Sequence, residues 1–167
     1  MIALVALLGA AVIALSAVLA WRLRTPRALR RPASGRRLLI PFIGDLDRAV
    51  LDAAIRIARA EDGVLVPAYL LVVPLEYAED SPVTDRVERA LPLLEAVERA
   101  GLEAGVPVDA RIEKGRTPTH ALKRLWEVEH FDRILVPATS FTGKELAWLL
   151  ERSPTETLVL KPEPLAA

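Results

Sequence analysis

The sequence predicts an α/β fold, a five-stranded parallel sheet with helices on both faces, preceded by an N-terminal transmembrane helix. Three observations predict it. Met1 to Trp21 carries no charged side chain. Beyond Arg36, short apolar runs of β type alternate with longer stretches of helical period. Turn and capping residues stand at the junctions, among them Gly44-Asp45, Asp62-Gly63, Thr117-Pro118 and Thr142 with Glu145. Five strands alternating with four helices imply parallel pairing, because each crossover is right-handed and covers the sheet.

The apolar fraction of 52% is high beside an ordinary charged fraction of 26%, so the excess must be concentrated. It lies in residues 1–21. About twenty helical residues rising about 1.5 Å each cover the roughly 30 Å hydrocarbon core of a bilayer. Arg22, Arg24, Arg27, Arg30, Arg31, Arg36 and Arg37 follow, with no acidic residue before Asp45. Such a one-sided cluster stays on the cytoplasmic side, so the expectation is a single-pass cell-membrane protein with Met1 outside and the domain cytoplasmic. A cleavable signal peptide is the alternative. It calls for positive charge before a shorter apolar stretch, and nothing basic precedes this one. Trp21, between the apolar run and Arg22, suits the head-group level.

Residues 22–35 contain Pro26, Pro32, Ser34 and Gly35 among the arginines and read as an extended basic linker. The folded domain is expected over 36–162, with a tail at 163–167. Seven of the 22 basic residues are the arginines just named, which leaves 15 against all 22 acidic residues beyond Arg37, a net charge of −7. An acidic domain speaks against a nucleic-acid groove, and anionic lipid suits the arginines better. With no cysteine there is no disulfide, thiol nucleophile or thiolate metal site.

Within the domain, Leu38 to Ile43 is the first strand, ended by Gly44-Asp45. A helix with Val50, Ala53, Ala54, Ile57 and Ala58 inward stops at Asp62-Gly63. Val64 to Val73 is a continuous apolar run, as a strand buried on both faces requires, and Pro74 ends it. The next helix turns Val87, Leu91, Leu94 and Val97 inward, with a kink expected at Pro92 and closure at Gly101 and Gly105. A third strand is expected over Val108 to Ile112, with a turn at Lys114-Gly115. Thr117 caps a helix with Pro118 at its first position and Leu122, Leu125 and Trp126 inward. Arg133 to Pro137 is the fourth strand. Thr142 and Glu145 form a capping box on a helix ending near Arg152, and Thr157 to Leu160 is the last strand.

The order and spacing of Leu39-Ile40-Pro41 with Gly44, Ala104-Gly105-Val106-Pro107-Val108, Gly115-Arg116-Thr117-Pro118 and Phe131 to Pro137 resemble a universal stress protein domain, as does the ending from Ser153-Pro154 to Leu160. The resemblance covers Arg36 to Pro162. It implies a Rossmann-like domain of the adenine nucleotide alpha hydrolase-like kind, strand order 3-2-1-4-5, dimerisation that often uses the last strand's edge and, in one subgroup, ATP at the carboxyl ends of strands one and four. That is the topological switch point of such a sheet.

The ATP-binding subgroup has G-x-x-G, nine residues, then G with Ser or Thr after the fourth strand. Here the stretch reads Ala138-Thr139-Ser140-Phe141-Thr142-Gly143-Lys144, without the glycines that admit phosphate close to the backbone. The family's aspartate after the first strand aligns with Ile43, and Asp45 lies two residues on. No cofactor is therefore expected, and ATP remains the alternative. The candidate ligand residues are Gly44, Asp45, Thr139 and Ser140; no catalytic or metal residue is assigned.

Other features have structural readings. Gly143-Lys144 lacks the first glycine of a Walker loop. Asp45 and Asp47 suit a helix N-terminus, and as ligand groups they would take ribose hydroxyls or a cation before phosphate. His120 and His130, ten residues apart, cannot share a helical face. No serine lies in a G-x-S-x-G elbow. The expectation is thus a membrane-anchored, non-catalytic regulatory or stress-response module whose partner is the bilayer together with a second copy or a membrane protein. The alternative is a nucleotide-binding sensor with an atypical site. An adenylyl-transferring or hydrolysing enzyme is a third, weaker reading.

Overall fold

The structure, a computed structural model, describes residues 35–78 and 83–161. The membrane span expected over Met1–Trp21, the linker up to Ser34 and the tail lie outside them. Among the described residues no helix is long and apolar enough to cross a membrane.

Five strands, β1 (Arg37–Phe42), β2 (Val64–Val72), β3 (Arg111–Gly115), β4 (Arg133–Pro137) and β5 (Glu156–Leu160), alternate with α1 (Arg48–Ala60), α2 (Thr84–Glu103), α3 (Pro118–Val128) and α4 (Gly143–Arg152). All pairings are parallel, in the order β3-β2-β1-β4-β5. β1 is central and buried on both faces, which is why its sequence is continuously apolar. Leu39 joins one core with Val66, Leu70, Leu122, Leu125, Ile134 and Val136, beneath α3 and α4. Leu38 and Ile40 join the other with Val50, Leu51, Ala54, Ile55 and Val97, beneath α1 and α2. Each of these three β1 side chains is fully buried, worth about 2 kcal/mol apiece as area removed from water.

The third strand departs from expectation. Val108 makes only an isolated bridge to Leu65, and the regular ladder runs from Arg111 opposite Ala68 to Gly115 opposite Val72. The cause lies on β2. Leu65 exchanges hydrogen bonds with Pro107 and Asp109, so by alternation residue 67 also turns toward β3, and Pro67 has no N–H to give. The ladder lapses there and resumes one step on, so Lys114 and Gly115 are strand rather than turn. Gly115 is required by close approach, since a Cβ on it would lie 2.5 Å from the backbone nitrogen of Ala121.

The helix termini follow the sequence signals. α2 ends in a Schellman motif: Val106 N–H donates to the Gly101 carbonyl, Gly105 N–H to that of Leu102, and Gly105 has φ +71°. At the end of α1 the left-handed residue of the same motif is Asp62, not Gly63. Gly63 serves packing, its Cβ position lying 2.2 Å from Leu38. α2 runs unbroken across Pro92, which is exposed, so the Glu88 carbonyl it leaves without a helical donor faces water. Its inward stripe is Ala90, Leu94, Val97 and Gly101, whereas Leu91, expected inward, is 46% exposed. In α1, Leu51 and Ile55 are buried where Ala53 and Ile57 are only half-buried.

Ion pairs lace the amino-terminal end of the sheet. Arg111 lies between Asp109 (2.5 Å) and Glu129 (2.9 Å), and Glu129 also pairs with Arg37. Burial works against the charge of Arg111, but hydrogen bonds and attraction from Asp109 and Glu129 outweigh it and hold its pKa above the ordinary value. Arg37 N–H donates to Asp132 Oδ2 at 2.7 Å, and its guanidinium lies 5.4 Å from the centre of the Phe131 ring. Arg133 bridges Glu61 and Glu156, and Arg36 reaches Glu61 at 3.5 Å.

Candidate functional site

Parallel pairing of β1 with β4 carries the turns after both strands to one edge of the sheet, the switch point at which ligands of doubly wound sheets bind. The ladder joining these strands is short, Leu38 opposite Arg133 and Leu39 opposite Ile134. Arg37 O accepts from Asp132 N, so alternate residues of β1 turn toward β4, and Pro41 in that series offers no N–H. The seam is therefore least tied at its carboxyl end.

On the β1 side, Gly44 has φ +64°, the left-handed conformation that favours glycine, with open space where a Cβ would stand. Asp45 beside it is exposed. Asp47 is the N-cap of α1: its Oδ1 accepts from Ala49 N at 2.8 Å and Val50 N at 3.3 Å.

On the β4 side, Ala138 N–H donates to the Leu160 carbonyl and Ser140 N–H to that of Pro137, so the chain turns at once over the strand end. Thr139 points to solvent. The Ser140 hydroxyl is shielded from water and has no hydrogen-bond partner among the described residues. Phe141 is buried in the core beneath α3 and α4, an inward turn that the sequence reading missed. Thr142 and Glu145 complete the expected capping box: Glu145 N donates to Thr142 Oγ1 at 3.4 Å, and Thr142 N to Glu145 Oε2 at 2.8 Å. Among the described residues no hydrogen bond or ion pair joins Gly44 or Asp45 to Thr139 or Ser140; topology alone brings the four candidates to one edge.

A helix N-terminus receives an anion through free N–H groups and a favourable dipole. Here both helix N-termini at the switch point already carry a carboxylate, Asp47 on α1 and Glu145 on α4, each accepting backbone N–H. An incoming phosphate would meet these two charges.

The remaining singled-out residues have structural surroundings. Trp126 and Trp148 stack with ring centres 5.7 Å apart and planes 1° from parallel, joining α3 to α4. His120 Nδ1 lies 3.4 Å from the Arg116 N–H, and His130 is exposed. Arg116 fastens the turn after β2, donating to the carbonyls of Pro74 (2.7 Å) and Tyr77 (2.9 Å).

No protein-family model matches the chain, and no curated protein matches it in sequence. Solved structures do. A universal stress protein family member from Burkholderia pseudomallei superposes with a TM-score of 0.55 at 20% identity, over 73% of this chain and 94% of that one. One from Arabidopsis thaliana with AMP bound gives 0.56 at 20% identity, over 77% and 93%. A universal stress protein in complex with cAMP gives 0.54 at 22% identity, over 76% and 97%. The chain thus has the universal stress protein fold, in the strand order the sequence resemblance implied.

Proposed function

We propose that the chain is a universal stress protein-type regulatory module, non-catalytic, that works at the cytoplasmic face of a membrane through protein contact, with a second copy or a membrane protein, and not through a phosphorylated nucleotide. The observation that carries this reading is the pair of carboxylate-capped helix N-termini, Asp47 on α1 and Glu145 on α4, at the edge where a nucleotide would sit. The uncharged run over Met1–Trp21 and the seven arginines after it support the membrane placement. Equilibrium dialysis of the full chain with ATP, AMP and cAMP tests the reading. No saturable binding is expected.

A second reading is a nucleotide sensor with an atypical site. It is favoured by the AMP and cAMP held by two proteins of the same fold, and by the Ser140 hydroxyl left without a partner. Saturable nucleotide binding that is lost on Asp45→Ala or Ser140→Ala would put this reading in place of the first.

A further inference from the structure

α1 and α2 lie side by side over one core and run in the same direction, because each returns from one strand to the start of a parallel neighbour. Along α1, Arg48, Asp52 and Arg56 stand four residues apart, and along α2 so do Glu95, Arg99 and Glu103. The two stripes share one spacing and have opposite signs at every place. Five of the six residues are exposed, and Asp52 is half-buried. Only Arg48 and Asp52 pair within the chain, at 3.1 Å. Arg56, Glu95, Arg99 and Glu103 have no ion-pair partner among the described residues, although the spacing on α2 would let Arg99 meet either acid. Over their whole lengths α1 holds three arginines and one aspartate and α2 five acids and three arginines, so the helices carry +2 and −2. The face is neutral as a whole and divided by sign.

A groove of about 380 Å³ between the helices sets their level, since Arg56 lines it from α1 and Glu103 from α2. By the common spacing Asp52 is then level with Arg99, and Arg48 with Glu95. A twofold axis laid along the helices keeps every residue at its level and sets α1 of one copy on α2 of the other. Three opposite-charge pairs would form, and the symmetry repeats them. A twofold axis across the helices would instead set α1 on α1 head to tail, with arginine on arginine. The charges therefore select the first arrangement. Arg59, also on the groove, adds a second arginine opposite Glu103. Glu98 stands one residue off the acidic stripe, and Asp62 lies beyond the end of α1. Ala49 and Ala96, each one residue past the first charge of its stripe, are exposed and keep the surface low between the two copies.

We propose that the α1–α2 face is a self-complementary docking surface for a second copy of this chain, with Arg48, Asp52 and Arg56 of each copy paired to Glu95, Arg99 and Glu103 of the other. The inference rests on the protein-contact reading of the function and names its partner and its surface. Each surface ion pair shifts an equilibrium by up to about fivefold, so the contact is reversible and is loosened by salt.

The test uses the full chain, purified in detergent. Arg48→Glu with Asp52→Arg and Arg56→Glu inverts the α1 stripe, and Glu95→Arg with Arg99→Glu and Glu103→Arg inverts the α2 stripe. Each variant keeps alternating charge within its helix, and an unchanged melting temperature confirms folding. Either variant alone should self-associate at least about tenfold more weakly than wild type in sedimentation at low salt. A mixture of the two should associate like wild type, because both of its contacts match again.

A second measurement needs neither variant. The chain has no cysteine, so Ala49→Cys and Ala96→Cys chains can be mixed and oxidised. The disulfide between unlike chains should form in preference to that between like chains, and high salt should suppress it. Monomer at every concentration overturns the docking and, with it, the second-copy form of the functional reading, leaving the membrane-protein form. A dimer indifferent to the inversions, or not restored by mixing, or without preference for the disulfide between positions 49 and 96, overturns the docking and leaves self-association at another surface.

Discussion

Thr142 and Glu145 satisfy one another across the first turn of α4, each side chain accepting the other's backbone N–H. The same pair that starts the helix also places a carboxylate at its N-terminus. Thr142→Ala should lower the unfolding free energy by about 1 kcal/mol, read as a shift of the urea midpoint at constant slope. It should not confer ATP binding, because the Asp47 and Glu145 carboxylates stay in place. An unchanged midpoint would mean that the cap contributes nothing.

Two glycines should respond in opposite ways to alanine. Gly115→Ala drives a methyl against the backbone of Ala121 and should cost about 1–3 kcal/mol or prevent folding. Gly143, at the start of α4, has open space around it and no left-handed backbone. Gly143→Ala should be neutral or stabilise by up to about 1 kcal/mol. Thermal melts of the two variants side by side check the contrast.

Glu129 serves two arginines, Arg37 and Arg111. Glu129→Gln leaves both guanidinium groups short of charge, and a loss of about 2 kcal/mol is expected in denaturant titrations. The pH dependence has a definite sign. A raised arginine pKa contributes stability that is complete below the unfolded value and is lost only as pH rises through the folded one. The part that Arg111 plays should therefore not fall with rising pH across the neutral range, and the difference between wild type and Glu129→Gln should hold from about pH 6 to about pH 9.

Topology is checked by reporter fusions at the C-terminus. A reporter active only in the cytoplasm should work, and one active only outside should not, because the seven arginines resist transfer across the bilayer. Changing those arginines to glutamine, with lysines added ahead of Ile2, should weaken or invert the outcome. Recovery of the domain outside the cell beginning at Trp21 would establish the signal-peptide alternative.

The sequence made most of the sheet legible because β1, β2 and β4 are buried on both faces and so appear as unbroken apolar runs. The caps at Thr117 and Thr142 were legible because capping is local. The limits of β3 were not, since they are decided by Pro67 on the neighbouring strand. Leu91 was misplaced because the stripe that meets the sheet starts one residue earlier, at Ala90. At the candidate site, four residues could be assigned to one edge from topology, but the inward turn of Phe141 depends on the space beneath α3 and α4.

The strand joined directly to the basic segment is β1, the middle strand of five, with parallel ladders to β2 and β4. A chain tugged at that end does not peel open from an edge. Tension along β1 loads the bonds of both ladders together in shear, and Asp132 on Arg37 N–H and Glu61 on Arg36 take up strain at the first residues. Were the domain tethered through that end, it would hang from a strand bonded on both sides, and movement of the tether would reach the whole sheet as a rigid displacement.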